Sequence, residues 1–325
     1  MKFPRKRVTV VIANRNGVRH LEECFDGLRA QEFTDYAVVF VDNASSDNSV
    51  QWVRDAVPEA TVIVHKQDVG YSASANDGIK AADSDYIVLV NNDVRLDPEW
   101  LGALVEAMDM NPEYDFGASR MILYYEPTLI NAAGDTYSLR HVSGINRGFG
   151  QPIELFEKPM RVLGACGGAA IYRREFFEDV GPFDEDFYLV HEDTDINLRA
   201  LIAGKRCLYI PAARVFHKYR SSADQYLPDW LARLDSRNRW FVASKDLPLC
   251  ALTYCLFRAL FRDTLPLRPS KWHLIPGLIR EFPARVALIT EGVQMGWPKR
   301  RDVWARRRVS VRTIYRWIRN GVSEV

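Results

Sequence analysis

The sequence predicts an α/β fold in which a mostly parallel sheet carries helices on both faces, followed by a mainly helical C-terminal extension. In roughly the first hundred residues, short apolar runs alternate with segments whose apolar residues recur at helical spacing. The runs are apolar throughout, as in parallel strands that are buried on both faces. Beyond Lys245 the chain becomes basic and helical in pattern. We therefore expect a first domain over 1–245 and an extension over 246–325.

The individual elements follow from these patterns and from capping residues. Strands are predicted at 8–13, 37–41, 61–64 and 86–90, and helices at 18–30, 47–56, 72–82 and 193–203. Asp97, Pro98 and Glu99 are typical of a helix start, since Asp can cap and Pro is tolerated in the first turn. Residues 114–159 mix glycines and aromatics without a period, which favours loops and short strands over a cleft. An amphipathic segment at 247–261 and a helix at 304–318 are expected in the extension.

Charge is distributed unevenly along the chain. The formal net charge is only +1, but residues 246–325 carry +9 and residues 1–245 carry −8. The total excludes a uniformly basic nucleic-acid binder, and 47% hydrophobic residues exclude a disordered chain. An acidic body with a basic tail suggests two different tasks.

We infer the cellular compartment from the pattern of the cysteines and from the length of the hydrophobic segments. Five scattered cysteines without a CxxC pair are typical of reduced thiols, and the N-terminal residues lack the pattern of an export signal. The longest uncharged stretch of the extension has eleven residues, whereas about 20 are needed to cross a bilayer. We expect a cytoplasmic protein, with peripheral attachment to the inner face of the cell membrane as an option.

Polar clusters follow the four predicted strands, at 14–17, 42–47, 68–71 and 91–93. In open parallel sheets, ligands bind outside the carboxyl ends of the strands. Each cluster alone is compatible with a helix cap or a turn, but four together predict a ligand site. The turn NRNG lacks the GxGxxG of a dinucleotide-binding domain, and no phosphate-binding GxxxxGK[ST] loop is present.

Two groups of side chains carry the expected chemistry. Asp93 ends a buried strand and suits Mg²⁺ or Mn²⁺, which favour carboxylate and phosphate oxygens. Glu192 and Asp193 belong to a second acidic cluster, in which like charges raise one pKa and create a general base. Asp195 and Arg199 are spaced i,i+4, which indicates a structural ion pair. A single histidine such as His217 is usually structural unless it lies near Asp93.

Six strings follow one another within residues 7–222, about two thirds of the chain: VTVVIANRNG, VDNASSDNS, DVGYSASANDGI, VLVNNDV, GACGGAAIYRRE and FYLVHEDTDINLRALIAGKRCLYIPAARVFHKYRSS. In these strings and in their order, the chain resembles a family 2 glycosyltransferase with the GT-A fold, and within it the rhamnosyltransferase-like branch.

The resemblance implies a role for each matching residue. It places a nucleotide-sugar donor against Asn14, Arg15, Asp42, Asp68, Gly70, Asn76 and Asn92. Asn91, Asn92 and Asp93 occupy the position of the family's DxD motif, with Asp93 and His217 as metal ligands. Asn91 replaces the first aspartate of that motif, which leaves one anionic ligand fewer. Glu192 and Asp193 are similar to the family's acidic pair, with Asp193 as the catalytic base.

The implied reaction is an inverting transfer of one sugar, from dTDP-rhamnose or a UDP-sugar, to a hydroxyl of a glycan or lipid-linked acceptor in cell-surface polysaccharide biosynthesis. Processive synthases of the family carry QxxRW, whereas this chain has SRNRW at 236–240. A polyprenyl-phosphate sugar synthase and a catalytically inactive binding or scaffold relative remain alternatives.

The basic residues of the extension are interspersed with aromatic ones between 297 and 319. Basic helices with aromatic anchors bind anionic membrane surfaces. A solvated helix and a homo-oligomer interface explain the same pattern, and both stay open.

Overall fold

The computed structural model describes residues 5–219, 226–262 and 275–321. Parts of the predicted extension, 263–274 and 322–325, lie outside the described residues, as do the ends of the motif at 220–222. The strands are β1 (Val8–Asn14), β2 (Tyr36–Asp42), β3 (Thr61–Val64), β4 (Tyr86–Val90), β5 (Val94–Leu96), β6 (Phe116–Leu123), β7 (Ile130–Ala133), β8 (Asp135–Ser138), β9 (Ser143–Asn146), β10 (Met160–Val162), β11 (Ala169–Arg173) and β12 (Cys207–His217). The helices are α1 (Val18–Arg29), α2 (Ser49–Ala56), α3 (Gly70–Ala81), α4 (Trp100–Met110), α5 (Arg174–Val180), α6 (Glu192–Ile202), α7 (Pro228–Asp246), α8 (Leu249–Phe257), α9 (Ile275–Ala305) and α10 (Val311–Asn320).

A large mixed sheet forms the centre of the fold, with the strand order β10-β12-β6-β11-β4-β1-β2-β3. Strands β4, β1, β2 and β3 are mutually parallel, which confirms the predicted sheet. Strand β11 runs antiparallel between β4 and β6, and β12 runs parallel to β6. Strand β5 pairs with the end of β12, while β8 and β9 form a separate hairpin.

Both faces of the sheet are covered by helices, as the apolar strands predict. Buried residues of α1, α2 and α4 pack on one face, including Phe25 and Trp100. Residues of α3, α5 and α6 pack on the other face, where Phe116 stacks on Tyr172 with ring centroids 5.7 Å apart.

Two predicted features differ from the structure. Strand β6 is a buried member of the main sheet within a region predicted to be loops and short strands. Gly117 interrupts the apolar pattern that would indicate a strand. A Cβ at this position would lie 2.7 Å from Cδ1 of Ile210, so the close packing requires glycine. The single helix predicted at 304–318 is wrong: α9 ends at Ala305, and Ser310 caps α10 by accepting a hydrogen bond from the Thr313 amide.

The C-terminal helices pack against α6 and against one another. Helix α9 crosses α7 at Gly292 and Gly296, where a Cβ would lie 2.4 Å from the Arg237 carbonyl oxygen and 2.1 Å from the Ser244 hydroxyl. Residues of α6 to α10 form a third apolar cluster with Tyr137 of β8. Helix α7 runs through the boundary predicted at 245/246, and that boundary stays a prediction.

A buried ion network joins α6 to α7. The Lys245 ammonium, with the side chain only 2% exposed, lies 2.5 Å from Asp195 and 2.6 Å from Asp184. Arg199 donates to Asp195 at 2.8 Å, which confirms the predicted i,i+4 pair. Although burial opposes it, Lys245 and Lys299 lower the pKa of Asp184 to about 2. Burial and the nearby Asp195 raise the pKa of Asp246, which favours its neutral form.

Several basic residues of the region after Lys245 also bind residues that precede it. Lys299 pairs with Asp184 and Asp186 at 2.6 Å, and Arg300 donates to the Ser244 carbonyl at 3.0 Å. Arg306 donates to the Asp179 carbonyl at 2.8 Å. Among the described helices, none combines the length and hydrophobicity required to span a bilayer.

Candidate active site

The polar clusters predicted after the strands do meet at the carboxyl edge of the sheet. Strand β1 lies between β2 and β4, so Asn14 at its end reaches both neighbours. Its amide nitrogen donates to Asp42 Oδ1 at 3.0 Å, and its amide oxygen accepts from Asn92 Nδ2 at 2.6 Å. Gly17 permits this contact, because a Cβ there would lie 2.4 Å from Asn14 Oδ1. The predicted convergence is therefore confirmed for the ends of β1, β2 and β4.

Asp42 shapes the loop that follows β2. Its carboxylate accepts hydrogen bonds from the Ser45 amide at 2.9 Å and from the Ser45 hydroxyl at 2.6 Å, in addition to Asn14. The side chain is buried. These contacts fix the polar loop at the sheet edge, and the expected contact of Asp42 with a nucleotide stays a prediction.

A second polar group surrounds Asp68, after β3. The Asp68 carboxylate pairs with Arg15, and it accepts from Asn43 Nδ2 at 2.7 Å. It also accepts from the hydroxyl of Tyr188, whose pKa is raised by burial and by this carboxylate. The Tyr226 ring lies 5.5 Å from the Arg15 guanidinium. Asp68 and Arg15 thus lie together as predicted, whereas no local sequence signal indicates Tyr188 or Tyr226.

Gly70 and Asn76 of α3 lie against the backbone of Tyr188 and Phe183, respectively. Gly70 has φ +83°, and a Cβ would lie 2.6 Å from the Tyr188 carbonyl oxygen, so the close approach requires glycine. Asn76 is buried. Its Nδ2 donates to the Phe183 carbonyl and its Oδ1 accepts from the Phe183 amide, both at 2.9 Å. The same Nδ2 also donates to the Glu185 carboxylate at 2.9 Å. In the structure Asn76 anchors the 183–185 loop, and its role toward a nucleotide is untested.

Asp93 and His217 lie side by side, as a shared metal site requires. Strand β12 ends beside β5, which places His217 Nε2 3.3 Å from Asp93 Oδ1. The other ring nitrogen, Nδ1, lies 2.8 Å from Asn131 Oδ1. When Nδ1 donates to that amide oxygen, Nε2 presents its lone pair toward Asp93, the arrangement of metal-binding histidines.

These residues fit a divalent cation that the substrate helps to bind. No group of three or more His, Cys, Asp or Glu side chains forms a metal site within the described ranges. Asp93 and His217 can supply two ligands, and a bound diphosphate and water can supply the rest, as Mg²⁺ and Mn²⁺ sites commonly do.

The acidic pair lies at the first turn of α6, next to the loop at Gly167. Asp193 Oδ2 accepts from the Gly167 amide at 3.3 Å, and Asp193 Oδ1 accepts from the Thr194 amide at 2.6 Å. The adjoining Gly168 carbonyl accepts from the Asn91 amide at 3.0 Å. This short path connects the acidic pair to the end of β4, so both predicted chemical groups belong to one region.

Glu192 differs electrostatically from its neighbour. Its Oε2 is buried and makes no hydrogen bond within the described part of the chain. Burial, together with the charges of Asp193 and Asp195, raises the pKa of Glu192 from about 4.5 to about 8. The raised pKa favours the neutral form of Glu192, which reduces the negative charge next to Asp193.

Comparison with known proteins agrees with this fold. Residues 9–181 match the family model described as glycosyl transferase family 2. The chain is 26% identical over 227 residues to an N-acetylglucosaminyl-diphospho-decaprenol L-rhamnosyltransferase of Mycobacterium tuberculosis, covering 61% of this chain and 71% of the relative. It is 31% identical over 235 residues to a pre-mycofactocin glycosyltransferase of the same species, covering 70% of this chain and 45% of the relative.

The fold also matches a solved structure, that of GalNAc-T7 with UDP, GalNAc and Mn²⁺. The TM-score is 0.64 at 16% identity, covering 87% of this chain and 55% of the other. The fold is thus that of a GT-A glycosyltransferase. The chain belongs to glycosyl transferase family 2, since the family model covers more than half of it.

Glu192→Gln is expected to reduce the pH dependence of stability between pH 5 and pH 9. The folded-state pKa of about 8 lies above the unfolded value, so the unfolded chain loses this proton first. The stabilisation from the protonated Glu192 carboxyl is complete below the pKa of the unfolded chain. It is lost as the pH rises through the pKa of the folded chain. Between pH 6 and pH 9, the free energy of unfolding of the wild type should fall by at least about 1.4 kcal/mol more than that of the variant, which is the equivalent of one pKa unit. Urea unfolding at pH 6 and pH 9 measures this difference.

Glu175→Gln, at an exposed position of α5, is the matched control and should keep the wild-type pH dependence. If Glu192→Gln showed the same pH dependence as this control, the neutral state of Glu192 would be ruled out.

Proposed function

We propose that this glycosyltransferase transfers a single sugar from a nucleotide-diphospho-sugar to an acceptor hydroxyl, with inversion at the anomeric carbon. The observation that carries the proposal is the position of Asp193, at the start of α6 and hydrogen-bonded to the loop that contacts the end of β4. A carboxylate there is suited to accept the proton of an acceptor hydroxyl beside a donor at the sheet edge.

In the proposed reaction, the acceptor oxygen attacks the anomeric carbon while the bond from that carbon to the diphosphate oxygen breaks. Asp193 takes the acceptor proton, which is general base catalysis and contributes about 10²- to 10⁴-fold to the rate. Arg15 and Asp68 face the nucleotide side of the site, where Asp42 and Asn14 hold the loop in place. The nucleoside diphosphate departs with the bonding electrons.

We assign the divalent cation, Mg²⁺ or Mn²⁺, to Asp93 and His217. When bound, such a cation neutralises negative charge on the departing diphosphate. The Mn²⁺ in the solved GT-A neighbour supports a divalent cation, and the short distance between Asp93 and His217 supports its assignment to these two side chains.

The donor sugar is proposed from the similar proteins. The relative named as an L-rhamnosyltransferase supports dTDP-rhamnose, and the neighbour solved with UDP supports a UDP-sugar. The relative's diphospho-decaprenol substrate supports a lipid-linked acceptor in cell-surface polysaccharide biosynthesis.

Asp193→Asn should abolish transfer, by 10²-fold or more, because the amide cannot accept the acceptor proton. The affinity for the nucleoside diphosphate should stay within about threefold of wild type, since Asp193 lies on the acceptor side. Product formation from dTDP-rhamnose or a UDP-sugar, together with calorimetric binding, measures both. Asp302→Asn makes the same chemical change at an exposed position of α9 and should be fully active. Near-native turnover of Asp193→Asn would show that another group is the base.

Asp93→Asn and His217→Gln should each remove the Mn²⁺-dependent part of nucleoside diphosphate binding. Calorimetric titrations with UDP and dTDP, with Mn²⁺ and with a chelator, measure this part directly. The wild type should bind more tightly with Mn²⁺, and both variants should bind equally with and without it. His141→Gln, at an exposed histidine, is the control for His217→Gln. An undiminished Mn²⁺ effect in both variants would place the cation elsewhere.

We also propose that α10 contacts an anionic membrane surface. Its Ile314 and Ile318 are buried against the body, whereas Arg312, Arg316 and Arg319 are exposed on the outer side. A basic residue near an anionic surface contributes about 1 kcal/mol.

Changing Arg312, Arg316 and Arg319 together to Glu should abolish cosedimentation with phosphatidylserine-containing liposomes at low salt. The same change at Arg233, which is exposed on α7, should have a smaller effect. Equal liposome binding by the triple variant and wild type would contradict the proposed membrane contact.

A further inference from the structure

The loop 186–191, which leads into the acidic pair, has an unfavourable backbone conformation. Tyr188, Val190 and His191 have φ values of +62°, +60° and +69°. A β-branched residue such as Val190 rarely adopts this region. Conformations of this kind cost about 1–3 kcal/mol each and persist only where surrounding contacts determine them.

Asn238 of α7 supplies those contacts. This fully buried side chain donates from Nδ2 to the carbonyl oxygens of Phe187, Leu189 and Val190, at 3.1, 2.9 and 2.8 Å. Its Oδ1 accepts from Arg237 Nε at 2.9 Å, which orients the amide so that its nitrogen faces the loop. One side chain therefore fixes the three peptide groups that immediately precede the left-handed residues Tyr188, Val190 and His191.

A second contact from α7 reaches the last residue of the loop. His191 Nε2 lies 3.0 Å from Asp235 Oδ1, and Asp235 pairs in turn with Arg239 at 2.7 Å. Asp235 and Asn238 lie one turn apart on α7, so the same helix face holds the loop at two places. His191 immediately precedes Glu192 and Asp193.

The body of α6 is fixed by other residues. Asp195 pairs with Lys245 at 2.5 Å, and Asn197 donates to the Ala165 carbonyl at 2.9 Å. Loss of the Asn238 contacts would therefore loosen the loop and the start of α6 at Glu192 and Asp193, without releasing the helix from Asp195 onward.

We infer that Asn238 is a positioning residue that aims Glu192 and Asp193 at the acceptor by holding the left-handed loop before α6. The inference rests on the proposed role of Asp193 as the base. The reaction is sensitive to such positioning, since a displacement of about 1 Å can cost about 10²-fold in rate.

The test compares three single variants of the full chain in transfer assays, calorimetric nucleoside diphosphate binding and thermal unfolding. Asn238→Asp keeps the size of the side chain but removes both N–H donors. Asp235→Asn, at a side chain that is 33% exposed, removes the charge facing His191 and is expected to fold even where Asn238→Asp does not. Ser244→Ala, a buried polar change farther along α7, is the control because the hydrogen bonds of the Ser244 hydroxyl, to the Phe241 and Gly292 carbonyls, do not involve the loop 186–191.

We expect kcat to fall by about 10- to 100-fold in Asn238→Asp and by a smaller factor in Asp235→Asn. Nucleoside diphosphate affinity should stay within threefold in Asp235→Asn, and Ser244→Ala should keep the wild-type kcat. Unchanged kcat in folded Asn238→Asp or, if that variant does not fold, in Asp235→Asn would overturn the inference. A parallel loss of kcat and donor affinity in Asp235→Asn would also overturn it, because that pattern indicates general destabilisation.

Failure of this inference is distinguishable from failure of the proposed function. If Asp193→Asn is inactive while the Asn238 and Asp235 variants turn over normally, only the positioning role is wrong. If Asp193→Asn is active, the base is wrong, whatever the α7 variants show.

Discussion

The buried ammonium of Lys245 is the interaction on which the contact between α6 and α7 depends. It lies between Asp184 and Asp195, which also pair with Lys299 and Arg199, respectively. Burial and the nearby Asp195 raise the pKa of the adjoining Asp246 carboxyl. Removing one partner of a buried pair costs about 3–5 kcal/mol, because the remaining charge stays uncompensated. The network thus fixes α6 against α7, and with it the segment that carries the acidic pair.

The polarised charge of the chain has a partly structural explanation. Basic residues such as Lys299 and Arg306 of the C-terminal region contact the acidic body, so the +9 and −8 regions attract each other. Exposed pairs of this kind contribute only about 0–1 kcal/mol each. The close approach of α9 to α7 at Gly292 and Gly296 and the apolar cluster of α6 to α10 add to this attraction, and the outward arginines of α10 remain available for a surface partner.

Local sequence patterns were sufficient to predict the first four strands and the convergence of the polar residues that follow them. The alternation of apolar runs predicts β1 to β4, and the polar residues after them meet as expected, with Asn14 bonded to Asp42 and Asn92. The Asp195–Arg199 pair and the proximity of His217 to Asp93 were also foreseeable, the first from helical spacing and the second from the family resemblance. What the pattern could not show is long-range pairing. Tyr188 reaches Asp68 across 120 residues, and Asn238 reaches a loop about 50 residues earlier in the chain. Strand β6 was missed because close packing demands a glycine within it.

We propose that the carboxyl edge of the sheet, from Asp68 to Asp93 and His217, binds the donor. A crystal structure with UDP or dTDP and Mn²⁺ would show the position of the nucleotide, and the anomalous signal of manganese would locate the cation. We expect manganese between Asp93, His217 and the diphosphate, with the nucleoside extending toward Arg15 and Asp68. Manganese bound away from Asp93 and His217, or a nucleotide bound on another face of the sheet, would contradict it.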